Sequence, residues 1–121
     1  MASIGAQASS GIDMQYVLVA PIWAIPKCLA KEGIDTKAVD LYEINEAFSG
    51  STVAVMRELG LDHDKINVNG GSASLGHPIG ASGCRVLVTL LYEMIREDKK
   101  IGLASLCLGG GEAVALVVKR P

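Results

Sequence analysis

Apolar positions along this chain alternate between short runs of strand spacing and longer stretches of helical spacing. Residues 4–9 predict an opening strand, with a turn at Gly11-Ile12-Asp13. Residues 21–31 read as a helix, with Pro21 near its start and Gly33 just beyond its end. Residues 39–44 predict a second strand. A helix follows over residues 47–59, carrying Val53, Met56 and Leu59 at helical spacing and ending at Gly60. Residues 66–69 predict a short third strand before the small-residue loop 70–74. The longest helix spans residues 81–97, with Val86, Leu87, Leu90, Leu91 and Met94 on one face. Aliphatic runs at 101–106 and 113–118 flank a glycine turn, so they should pair as an antiparallel hairpin at the end of the sheet. Strands alternating with helices imply parallel crossovers in the earlier part. The expected fold is α/β, a mixed sheet of about five strands covered by helices.

Composition sharpens that picture. The chain has 121 residues, enough for one domain with one core, and 50% are hydrophobic. Only 4% are aromatic, so Ala, Val, Leu and Ile must pack close among many glycines, as in layered α/β proteins. A net charge of −2 with no basic stripe argues against a nucleic-acid partner. Three cysteines without paired spacing argue against a disulfide framework and for a reducing compartment, here the cytoplasm. Neither Cys-x-x-Cys nor His-x-x-x-His occurs, so no zinc site is expected, and His63 falls in the polar loop 61–65. The uncharged stretch 14–26 is shorter than the ~20 residues a membrane span requires and holds Pro21 and Pro26, so it reads as buried turn and helix start. No basic region precedes an apolar one at the N-terminus, and no signal peptide is evident.

Three segments carry candidate chemistry. Gly-His-Pro-Ile-Gly-Ala-Ser-Gly, residues 76–83, sets His77 against Pro78 at the head of the long helix. There the helix dipole disfavours imidazolium, leaving a neutral ring able to exchange protons near pH 7; the plainer reading is a histidine that caps a turn. Cys107-Leu108-Gly109-Gly110-Gly111 places a thiol where a strand runs into three glycines. A tight hairpin explains the glycines structurally, and close approach of backbone N–H groups to a ligand oxyanion explains them functionally. Asn45-Glu46-Ala47-Phe48 lies at another strand-to-helix junction. Cys28 and Cys84 read as small core or surface residues, and Ser72, Ser74 and Ser82 as turn and cap residues. No phosphate-binding loop, dinucleotide fingerprint or Gly-x-Ser-x-Gly elbow is present.

In this order and at this spacing the three motifs resemble those of the thiolase family, which makes or cleaves 3-ketoacyl-CoA by a Claisen reaction. The resemblance covers essentially residues 4–119. The sterol-carrier type of thiolase lacks the Asn-Glu-Ala-Phe form, and ketoacyl synthases have a second histidine where Asn45 stands. Membership implies that residues 1–121 form the C-terminal domain of a two-half enzyme, whose N-terminal half carries the nucleophilic cysteine and is absent here. It also implies roles. His77 would activate that nucleophile and donate to the thioester oxygen, and Asn45 would hold a water beside it. Cys107 would act as general acid and base, and the Gly109 N–H would complete a second oxyanion hole. Phe48 would line the acyl or pantetheine channel, or else sit in the core; Glu46 would orient neighbouring backbone.

The family commonly has a Met-Gly-x-Gly-Pro turn where this chain reads Val17-Leu18-Val19-Ala20-Pro21. Val17 thus takes the pocket position, and the substrate is expected only as a short-chain or general acyl-CoA. No cofactor is implied beyond coenzyme A thioesters as substrates. The implied partners are the N-terminal half, acyl-CoA and further copies in a homo- or hetero-oligomer, with no membrane. A non-catalytic thiolase-like binding or assembly domain, and one piece of a split enzyme, remain as alternatives.

Overall fold

The computed structural model describes every residue from Met1 to Pro121. Four strands, β1 (Ser3–Gly11), β2 (Leu41–Ile44), β3 (Ile101–Leu108) and β4 (Glu112–Lys119), form one mixed sheet in the order β1-β4-β3-β2. β4 runs antiparallel to both β1 and β3, whereas β2 and β3 are parallel. The expected hairpin forms, but it occupies the centre of the sheet rather than its end, because β1 adds to the outer edge of β4.

The third strand expected at 66–69 does not form. Ile66 makes a single parallel bridge to Tyr42, and Asn67 then turns to a φ of 49°. Its side chain takes over the pairing. The Ile44 N–H donates to Asn67 Oδ1 at 2.8 Å, and Asn67 Nδ2 donates to the Ile44 carbonyl at 2.8 Å, as a neighbouring peptide group would. One amide thereby closes the exposed edge of β2.

The helices are α1 (Pro21–Glu32), α2 (Ser49–Leu59), the one-turn α3 (Ser72–Leu75) and α4 (Ile79–Arg96). Residues Met14–Val19 form a 3-10 turn that Asp13 caps by accepting from the Gln15 N–H. α1 begins on Pro21 and ends at Gly33, and α2 ends at Gly60, as their sequences predict.

Alternation along the strands divides the core. On one face Ala8, Tyr42, Ile44, Leu103, Ala115 and Val117 meet α1 through Ala24, Ile25, Cys28 and Leu29. On the other, Leu41, Ala104 and Val118 meet Val86, Leu90 and Met94 of α4. That second contact is close: a Cβ on Gly102 would lie 2.5 Å from Met94 Sδ and 3.0 Å from Leu90 Cδ1, so any larger residue would make these buried side chains shift. In α2 the buried side is Ser51, Thr52 and Val55 rather than the expected stripe; Met56 and Leu59 are partly covered and Val53 is exposed.

Candidate functional site

β2 and β3 are parallel, so their carboxyl ends open at the same end of the sheet, where α/β folds gather ligand-binding loops. Asn45 directly follows β2, and its N–H donates to the Ser105 carbonyl at 2.9 Å, which prolongs the pairing by one residue. Cys107 lies near the end of β3, paired with Ala113, and is half-buried. Between α3 and α4, Gly76 turns the chain at a φ of 89° and Pro78 starts the long helix in extended geometry. His77 stands between them.

These elements converge. Val17, His77, Cys84, Cys107 and Gly109 line one cavity of about 520 Å³. Asn45 lies against it through His77, with Asn45 Nδ2 and His77 Nε2 3.4 Å apart. The other ring nitrogen, Nδ1, is 2.5 Å from Ser82 Oγ, which in turn donates to the Pro78 carbonyl at 3.0 Å. Behind Asn45, Ser72 Oγ donates to Asn45 Oδ1 at 2.6 Å. Arg85 reaches this serine at 3.5 Å and Glu43 Oε2 at 3.1 Å.

Electrostatics separate the groups. Burial pushes the Cys107 thiol above its ordinary value, so it stays protonated at neutral pH. Cys28 is also raised by burial; it lies in the core, donating to the carbonyls of Ala6 and Ala115, and has no access to the cavity. Glu43 is almost fully buried, and desolvation pushes its carboxyl up to about 7 despite the opposing pull of Arg85.

The glycine run divides by cause. Gly110 and Gly111 have φ of 93° and 90°, and a Cβ on Gly111 would meet the Ile12 carbonyl at 2.3 Å, so turn geometry requires both. Gly109 meets neither requirement: its φ is ordinary and a Cβ there would have nothing within 4 Å. It faces the open cavity.

Not every expected residue joins the group. Phe48 is exposed at the head of α2 and neither lines this cavity nor enters the core. Glu46 holds backbone as expected, accepting from the Ala73 N–H at 3.1 Å and from Asn67 Nδ2 at 3.3 Å. Cys84 is exposed on the first turns of α4 and shares the cavity wall. Glu43, Arg85, Ser72 and Ser82 were not singled out as site residues by sequence. Glu43 carried a signal, since a carboxylate inside an otherwise apolar four-residue strand demands a cation nearby. No cluster of three or more His, Cys, Asp or Glu side chains could hold a metal, and no helix is long and apolar enough to cross a membrane.

The thiolase C-terminal domain model matches residues 1–120. Acetyl-CoA acetyltransferase of Pseudomonas aeruginosa is 54% identical over 120 residues, covering 99% of this chain and 30% of that protein. The Paracoccus denitrificans acetyl-CoA acetyltransferase is 51% identical over 121 residues, all of this chain and 31% of the relative. Among solved structures, the Bacillus anthracis acetyl-CoA acetyltransferase superposes with a TM-score of 0.96 at 44% identity, over 98% of this chain and 30% of that one. Human mitochondrial 3-ketoacyl-CoA thiolase in complex with CoA gives 0.96 at 41% identity, over 99% and 30%. The chain thus spans about a third of the length of the curated relatives it matches. It belongs to the thiolase family, as that family's C-terminal domain.

Proposed function

We propose that this chain supplies the C-terminal half of a thiolase active centre, which transfers an acyl group between coenzyme A thioesters with formation or cleavage of a carbon–carbon bond. The observation that carries this reading is the convergence of His77, Cys107 and Gly109 on one cavity, with Asn45 against the imidazole.

In the first half-reaction, His77 Nε2 takes the proton of the partner half's cysteine as its sulfur attacks the acyl carbonyl. The Gly109 N–H receives the oxyanion. Cys107, protonated at rest because it is buried, gives its proton to the departing coenzyme A sulfur and becomes a thiolate. That thiolate is then the base that removes the α-proton of the incoming acetyl thioester. The protonated Nε2 and a water held by Asn45 donate to the enolate oxygen, and the enolate carbon attacks the acyl-enzyme. Cleavage reverses these steps. Val17 borders the acyl end of the cavity, and the substrate is a short-chain or general acyl-CoA, with no separate cofactor.

The chain alone should show no thiolytic turnover, because Cys28 is sealed in the core and Cys84 has neither a base nor an oxyanion hole assigned to it. Acyl-enzyme trapped on either thiol and located by mass spectrometry would overturn this. In an enzyme reconstituted with a chain carrying the nucleophilic half, Cys107→Ala should lower α-proton exchange and bond formation by ~10²-fold or more while acylation suffers less. His77→Ala should damage both half-reactions. Unchanged exchange in Cys107→Ala would reduce Cys107 to a buried strand-end thiol, and intact half-reactions in both variants would return the domain to a non-catalytic binding or assembly role.

A further inference from the structure

The polar groups behind Asn45 form a chain whose direction is fixed at both ends. Arg85 can only donate, so Ser72 Oγ accepts from it and has a single hydrogen left to give. A turned Asn45 amide would face this buried hydroxyl with two donors and leave its hydrogen without an acceptor, so Asn45 presents its carbonyl oxygen to the serine and its NH₂ to His77. The ring nitrogen facing an NH₂ must accept, so Nε2 is the bare nitrogen and the proton of the neutral ring sits on Nδ1. Nδ1 then donates to Ser82 Oγ, whose own hydrogen goes to the Pro78 carbonyl, a group that can only accept. Each link is consistent with the next, from an obligate donor to an obligate acceptor.

We propose that Glu43, Arg85 and Ser72 are positioning residues that orient the Asn45 amide and thereby hold neutral His77 in the Nδ1–H tautomer. Glu43 belongs to the device because it anchors the guanidinium: the carboxylate lies on the α4 side of β2, buried, 3.1 Å from Arg85. Ser72 is buried as well, so water cannot replace the hydrogen bond it gives. The consequence is chemical. A bare Nε2 is the form that can accept a thiol proton, and once it has done so the same nitrogen becomes the donor an enolate oxygen needs. A solvated histidine prefers the opposite tautomer, so the site works against the free side chain's bias.

The inference rests on His77 and Asn45 being the paired site residues proposed above, but its test needs neither substrate nor partner. Ring ¹⁵N shifts of the chain, recorded above the imidazole titration, report the tautomer directly. Of only two histidines, His63 is removed from the spectrum by His63→Gln. The unsubstituted ring should show protonated Nδ1 and bare Nε2. Ser72→Ala should move the tautomer ratio at least about fivefold towards Nε2–H, corresponding to one lost hydrogen bond. Ser72→Thr and Arg85→Lys, which keep the hydroxyl and the obligate donor, should largely retain the original ratio. Should Ser72→Ala fail to fold, Asn45→Asp serves: a carboxylate facing Nε2 can only accept, and should place the proton there. An Nε2–H ring in the unsubstituted chain, or a folded Ser72→Ala with an unmoved ratio, overturns the proposal. A tautomer that shifts in Ser72→Ala while the reconstituted enzyme keeps its full activity would instead count against the roles given to His77 and Asn45.

Discussion

Two neighbouring glycines answer to different constraints, and substitution should separate them. Gly111→Ala puts a methyl group at a φ of 90° against the Ile12 carbonyl, and should cost about 3 kcal/mol or more in denaturant unfolding. Gly109→Ala meets no neighbour and needs no left-handed backbone, so its stability should change by less than about 1 kcal/mol. Equal losses at the two positions would show that the whole run is a structural turn. Sequence alone offers two causes for this run, a hairpin and an oxyanion site, and cannot apportion them. The apportionment depends on Ile12, nearly a hundred residues away, whose N–H also donates to the Gly111 carbonyl at 2.8 Å. Ser72 and Arg85 stay invisible for the same reason, and Glu43, though odd in its strand, does not name its partner. The first two are ordinary residues until folding lines them up behind Asn45, whereas His77, Asn45 and Cys107 sit in recognisable local motifs.

Elements meet at β2 in two ways that can be tested. Asn67 stands in for a missing strand, so Asn67→Ala strands two buried peptide groups of Ile44 and should lower stability by roughly 2–4 kcal/mol, read from the shift in urea midpoint. An unchanged midpoint would mean that water pairs the edge equally well. The residues around it have strand-like composition, which is why 66–69 predicts a strand; a side-chain amide imitating a peptide leaves no periodicity to read. The Glu43–Arg85 pair ties β2 to α4 and gives stability a pH dependence. Burial raises the Glu43 carboxyl from 4.5 to about 7, so between those values the native state holds a proton that the unfolded chain has released. Stability from this group is therefore complete below pH 4.5 and declines as pH rises through 7, by on the order of 3 kcal/mol. Glu43→Gln should flatten the profile in that window relative to the unsubstituted chain. Helix ends and the hairpin were legible because Pro21, Gly33, Gly60 and the glycine turn act locally. The order of strands was not, since nothing near β1 announces that its neighbour is β4.

At the scale of the molecule, the two faces of the sheet are unequally covered. α1 closes one side, while on the other α4 lies over β2 and β3 and leaves Leu106, Val114 and Leu116 along a cavity of about 540 Å³. The outward side of α4 adds Val88, Tyr92 and Ile95, exposed at spacings of four and three on one helical stripe. Apolar area of this kind is rarely left bare, so the chain by itself should self-associate at micromolar to millimolar concentration in light scattering. Replacing Val88 with Glu and Tyr92 with Lys together should shift it towards monomer, and a clean monomer before substitution would rule the surface out as an association face. The sheet order also sets a timetable. β1 precedes the other three strands in the chain, yet the strand it pairs with, β4, follows about a hundred residues later, with Ser3 finally opposite Lys119. At 5–20 residues per second, that delay is about 5–20 s during which β1 has no strand to pair with. β1 therefore spends those seconds with its strand-pairing N–H and C=O groups turned to water, and its docking on β4 marks completion of the sheet.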